Sequence, residues 1–220
     1  MAAGLCSVAL VLFIASSAHA AGIGVYGNFN PMWGGYEGND PDHTDLASLD
    51  YSKINIGCGF LLDLAVARRA LFNYRVSMGM ESVQDVLPGV TSPVVVTYHF
   101  SGFRLKLMNS FGFGVFRRAP VRLWLGPQLG FSFLNEWDAD KNGITSFGPL
   151  PGLGAGMNVN MGPVVTLGFE IDADYQFEFA TRAKRSAQDS FDASYVGNGG
   201  GLNFLATLMF RGRNDRFRKG

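Results

Sequence analysis

From residue 165 to residue 179 the chain alternates with period two. Val165, Leu167, Phe169, Ile171, Ala173, Tyr175, Phe177 and Phe179 fall on one side; Thr166, Gly168, Glu170, Asp172, Asp174, Gln176 and Glu178 fall on the other. That is the repeat of a β-strand, whose successive side chains point to opposite faces. A helix would mix the same aromatics and carboxylates around every face. Fifteen residues at ~3.4 Å each give a strand of about 50 Å. A transmembrane strand needs only ~9–11 residues.

Seven more segments repeat the pattern. Strand one is predicted at 23–29, strand two at 51–67 and strand three at 72–86. Strand four, 94–115, changes phase. Val94, Val96, Tyr98 and Phe100 keep one parity, while Phe103, Leu105, Leu107, Phe111, Phe113 and Val115 keep the other. A β-bulge near Ser101-Gly102 would produce that shift. Strands five, six and eight are predicted at 121–133, 150–161 and 202–210. Short turns near 68–71, 117–120 and 161–163 alternate with long polar loops near 30–50, 84–93, 135–147 and 181–197. An even strand number with short turns at one end and long loops at the other is the layout of bacterial outer-membrane barrels.

Alternation alone does not say which face is wet, because a soluble lipocalin-type barrel also has eight alternating strands. Three features favour the membrane. The polar face is mostly Gly, Asn, Ser and Thr, which suits a narrow lumen better than a solvated surface. Aromatics such as Phe29, Trp33, Tyr74, Phe131, Trp137 and Phe179 gather near strand ends, where a girdle would lie. The last strand carries an apolar residue at every second place and ends on Phe210. The expectation is an all-β, eight-stranded antiparallel up-and-down transmembrane β-barrel. On strand count, loop asymmetry and the closing segment LNFLATLMF, residues 21–210 resemble the small outer-membrane barrels, the group that includes OmpA, OmpX and OmpW. The closing segment is similar to the terminal signal read by the barrel-assembly machinery, although ten residues follow Phe210 here. The OmpW resemblance implies passage of small hydrophobic molecules across the outer membrane. The alternative is a surface-exposed adhesion or envelope-stabilising barrel without a conducting channel.

Composition fits an exported membrane protein. Charged residues are 16 %, against ~25 % in a typical soluble domain. Residues 1–20 carry no charge, hold a short apolar run and end Ala18-His19-Ala20, the small-x-small pattern of a signal peptide. With Cys6 in that segment, Cys58 is left alone and no intrachain disulfide is expected. Residues 211–220 form a basic tail, expected on the periplasmic side with Arg68, Arg69, Arg117 and Arg118, where anionic headgroups would meet them. The partners expected are outer-membrane lipid, the assembly machinery, and a small hydrophobic solute or a host or envelope ligand at the loops. Nucleic acid is not expected, because the chain is exported and its basic residues are scattered.

The polar face supplies the candidate site. Asp63, Arg75, Glu81, Arg104, Lys106, Arg122, Glu170, Asp172, Asp174 and Glu178 would share the lumen. Opposite charges enclosed together are expected to pair, since an unpaired one is costly. A structural plug explains them; a gated path past Arg104, Lys106 and Arg122, facing the carboxylates of strand seven, is the sharper reading. Catalysis is poorly supplied, with His43 in a loop, His99 in strand four and one lipid-facing cysteine, so no enzyme and no cofactor are expected. Asp138, Asp140 and Asn142, followed by Gly143, copy the opening of a calcium loop. The twelfth place is Pro149 where a bidentate Glu is needed, so an ordinary turn accounts for them.

Overall fold

The computed structural model describes residues 21–39, 48–64, 71–91, 94–118, 120–139, 143–183 and 193–211. The signal segment 1–20, the turn arginines Arg68 and Arg69, the tail beyond Arg211, His43, and Asp140 and Asn142 of the calcium-like loop lie outside them.

Eight strands follow one another: β1 (Gly22–Asn39), β2 (Ser48–Asp63), β3 (Phe72–Thr91), β4 (Val94–Arg118), β5 (Val121–Trp137), β6 (Gly143–Met161), β7 (Val165–Ala183) and β8 (Ala193–Arg211). Each pairs antiparallel with its sequence neighbours, and β1 pairs with β8, closing an up-and-down barrel. The closing seam sets Ile23 opposite Phe210 and Asn39 opposite Ser194. Closure leaves every strand paired along the barrel wall, which is what hydrocarbon demands of a spanning backbone.

The parity read in the sequence decides the faces. Leucine, isoleucine and phenylalanine point outward: Phe60 is 66 %, Leu153 66 % and Ile171 54 % exposed. The charged set points inward, with Lys53, Arg104 and Glu178 each at 0 %. An outer surface of large apolar side chains around a buried charged interior is stable only when the outside solvent is lipid. Trp33 and Trp137 stand on the outer face near the long-loop end, and Tyr74 pairs with Phe111 near the turn end at 5.2 Å between ring centroids. Cys58 is on the outer face.

Two boundaries differ from the sequence reading. The strands run on into the segments expected as long loops: β1 continues to Asn39, β3 to Thr91, β5 to Trp137 and β7 to Ala183. Backbone groups go on pairing where the apolar alternation stops, because the ladder satisfies them whatever the side chains are. The phase shift is also elsewhere. β3 and β4 stay in one register from Thr91↔Val94 to Phe72↔Phe113, so no bulge occurs at Ser101-Gly102. Phe100 keeps the inward parity and is 4 % exposed, packed inside the barrel with Tyr36, Tyr51, Ile144, Ala180 and Tyr195. The β4–β5 register shifts instead between Gly114 and Phe116. Past that point Phe116 pairs with outward Leu123, and Arg117 with inward Arg122.

The interior is filled by setting large side chains against glycine. A Cβ on Gly79 would stand 2.1 Å from the Tyr26 hydroxyl, and one on Gly156 would stand 2.6 Å from the Trp124 ring. Small barrels fill their lumen by such alternation. Gly162, at φ 81°, turns the chain from β6 into β7, a left-handed conformation that other residues adopt at a cost.

Candidate functional site

The lumen is layered. Near the turn end sits an apolar floor of Tyr26, Leu61, Leu205 and Met209. Near the long-loop end sits the aromatic cluster around Tyr36, Tyr51 and Phe100. Charged residues fill the waist between them, and the Asp63–Arg75 pair reaches past Leu61 to the turn end.

All ten charged residues singled out in the sequence are buried inside the barrel. Arg75 ties the lower waist together. Its Nη2 donates to Asp63 at 2.9 Å, its Nη1 donates to Glu170, and its guanidinium lies 5.1 Å from the centre of the Trp124 ring. Glu170 also accepts from the Gln128 amide at 2.9 Å, and Asp172 accepts from the same amide at 2.8 Å. Higher up, Lys106 Nζ donates to Asp174 Oδ2 at 2.5 Å. Arg104 Nη1 is 3.4 Å from Glu81 Oε2, and its Nη2 donates to Met32 Sδ. Glu178 accepts from the Tyr36 hydroxyl at 2.5 Å and from Gln176.

The grouping differs from the one expected. Arg104, Lys106 and Arg122 do not together face the carboxylates of β7. Lys106 meets Asp174. Arg104 stands directly across the β3–β4 ladder from Glu81. Arg122 pairs with Asn158, which pairs with Gly168, so it lies level with the start of β7, below Glu170. The stagger of tilted strands sets these levels, and sequence spacing within one strand does not reveal it.

The structure adds three charges. Lys53 Nζ lies 3.2 Å from Asp85 and 3.1 Å from Glu136, and donates to the Tyr36 hydroxyl at 2.7 Å. Glu136 and Tyr36 belong to segments expected as loops, while Asp85 and Lys53 lie within expected strands. Parity was the available signal. Lys53 shares a face with Asn55 and Asp63, Asp85 with Glu81, and Glu136 with Arg122.

A cavity of about 10 Å³ remains in the waist. At the long-loop rim a cleft of about 620 Å³ lies between the base of the β3–β4 hairpin and the top of β5, bordered by Asp85, His99, Phe100 and Trp137. Among the described residues no His, Cys, Asp and Glu side chains group in threes that would hold a metal ion.

No protein-family model and no curated protein matches the chain. Solved structures do. The outer membrane protein OprG from Pseudomonas aeruginosa aligns with a TM-score of 0.64, over 90 % of this chain and 99 % of that one, at 8 % identity. Outer membrane protein AlkL, determined in DMPC bilayers, aligns at 0.48 over 88 % and 92 %, at 12 % identity. Neisserial surface protein A aligns at 0.36 over 85 % and 96 %, at 14 % identity. The OprG match carries the likeness of fold, and the outward apolar belt and inward charges carry the membrane assignment. This chain is an integral β-barrel of the small, eight-stranded outer-membrane type.

Proposed function

We propose that the barrel is a closed outer-membrane platform whose recognition chemistry lies at its outer rim. The observation that carries this reading is the waist. Arg75 and Lys106 bridge the lumen to Glu170 and Asp174, Arg75–Asp63 and Arg104–Glu81 pair along the wall beside them, and the waist cavity left among these side chains fits about one water. A solute crossing there must break several buried ion pairs at once. The rim, by contrast, is built to reach. β3 pairs with β2 only as far as Val86, and β4 with β5 only as far as Ser101, yet β3 and β4 stay paired with each other to Thr91 and Val94. Among the described residues, a two-stranded arm therefore rises beyond its neighbours with both backbone edges unpaired. The segment 87–100 holds no Lys, Arg, Asp or Glu. Uncharged free edges suit strand addition by an extended ligand segment. The test is paired. Purified barrel in planar bilayers should give no single-channel steps, and removal of residues 87–98 should abolish binding to host cells or envelope fractions. Steady conductance from the intact protein would overturn the reading.

A second reading, uptake of small hydrophobic molecules, is favoured by one observation. The rim cleft offers such a molecule Phe100, His99 and Trp137 beside the outer leaflet. Vesicles carrying the barrel should then accumulate an apolar solute faster than empty vesicles, and Trp137→Ala should slow them.

A further inference from the structure

Among the described residues, eight buried carboxylates share the barrel interior with five buried cations. Enclosed charge without a counter-charge is expensive, and one acid of the waist shows the shortfall. Glu170 has Arg75, and Asp174 has Lys106. The donors to Asp172 are neutral amides, Gln128 at 2.8 Å and Asn203 at 3.2 Å.

Asp172 borders the waist cavity of about 10 Å³, with Asn28, Glu81, Glu170 and Lys106 in the same wall. Asn28 Oδ1 accepts no hydrogen bond, and Glu81 Oε2 accepts none but lies 3.4 Å from Arg104 Nη1. Their residues are 7 % and 2 % exposed. Asn28 spends its own amide hydrogens on Glu81 at 2.6 Å and Asn203 at 3.0 Å, which leaves its carbonyl oxygen without a donor. Lys106, the cation in the wall, is engaged by Asp174 at 2.5 Å. The cavity is thus rich in oxygen acceptors, the Tyr26 and Ser77 hydroxyls among them, and about one particle wide. Glu81, Glu170 and Asp172 all border it, but among the described residues no three His, Cys, Asp or Glu side chains group closely enough to hold a divalent metal. Carboxylate and amide oxygens suit a hard cation.

We propose that this cavity holds one monovalent cation of about sodium size, between Asn28 Oδ1, Glu81 Oε2 and the Asp172 carboxylate. The ion neutralises the acid excess at the waist and gives Asn28 Oδ1 the partner it lacks. The site stands whether or not the lumen conducts.

The test uses the whole barrel in a non-ionic detergent at constant ionic strength, with choline chloride replaced stepwise by sodium chloride. Unfolding is read from the loss of the compact form on unheated gels. The equilibrium constant for unfolding should fall saturably, by about tenfold at ten times the half-saturating sodium concentration, and choline, too large for the cavity, should leave it unchanged. Broadening of the sodium-23 resonance by folded barrel, reversed by lithium, reads the same site without a variant. Asp172→Asn and Asn28→Ala should each flatten the sodium response. Curves that superpose in sodium and choline, the outcome if the cavity holds water or Asp172 is protonated, would overturn the proposal. So would a sodium effect undiminished in both variants, which marks ions on the outer surface only.

Discussion

Lys106 on β4 and Asp174 on β7 meet across the lumen, Nζ to Oδ2, at 2.5 Å, with side chains 6 % and 2 % exposed. Strands four and seven are not neighbours in the sheet, so the contact crosses the barrel interior and braces opposite walls. Breaking a buried pair by removing one partner typically costs about 3–5 kcal/mol, whereas replacing both with apolar groups is often neutral. We expect Lys106→Met to lower stability in that range and Lys106→Met with Asp174→Leu to recover most of it. Denaturant unfolding in detergent measures both. A double variant as unstable as the single one would show that Asp174 is not what Lys106 serves.

The direction of the two faces gives a second prediction. Leu125 points outward and is 53 % exposed, while its neighbour Trp124 points inward at 2 %. An arginine facing lipid near the midplane of a barrel costs about 2–4 kcal/mol. Leu129, midway along β5 and 55 % exposed, meets that condition, and Leu129→Arg is expected to destabilise the protein by that amount in bilayers. The change should be close to neutral if the outside were water, so folding titrations into lipid vesicles decide it.

Cys58 offers a probe that needs no substitution. It lies on the outer face in mid-strand, paired with Gly27 and Met80. A thiol facing hydrocarbon is out of reach of charged, water-borne reagents. In protein reconstituted into vesicles, a charged maleimide should leave Cys58 unlabelled until the barrel is unfolded in urea. Rapid labelling of the folded protein would place that face in water.

The glycine opposite Trp124 gives a packing prediction. A Cβ at Gly156 would lie 2.6 Å from the indole, and overpacking a filled core costs about 1–3 kcal/mol. Gly156→Val should destabilise the barrel and change tryptophan emission. Trp124→Leu in the same chain should restore part of the loss. A Gly156→Val variant as stable as the parent would mean that the ring has room to move.

Period-two alternation along 165–179 and its seven counterparts was enough to set eight strands, their order and the inward side of each charge. It works because a strand has two faces and the bilayer accepts only one kind of side chain. The sequence misjudged where the strands end, because Tyr36 and Glu136 stand where apolar residues thin out while backbone pairing carries on. It misplaced the bulge because Phe100, an apolar residue on the inward parity, looked like a change of phase; only the interior aromatic cluster accounts for it. Which charge meets which was decided by the tertiary structure alone. Closure and stagger bring Lys106 to Asp174 and Arg75 to Glu170 across 68 and 95 positions of chain, and a period read within one strand holds no information about the level at which the next strand crosses it.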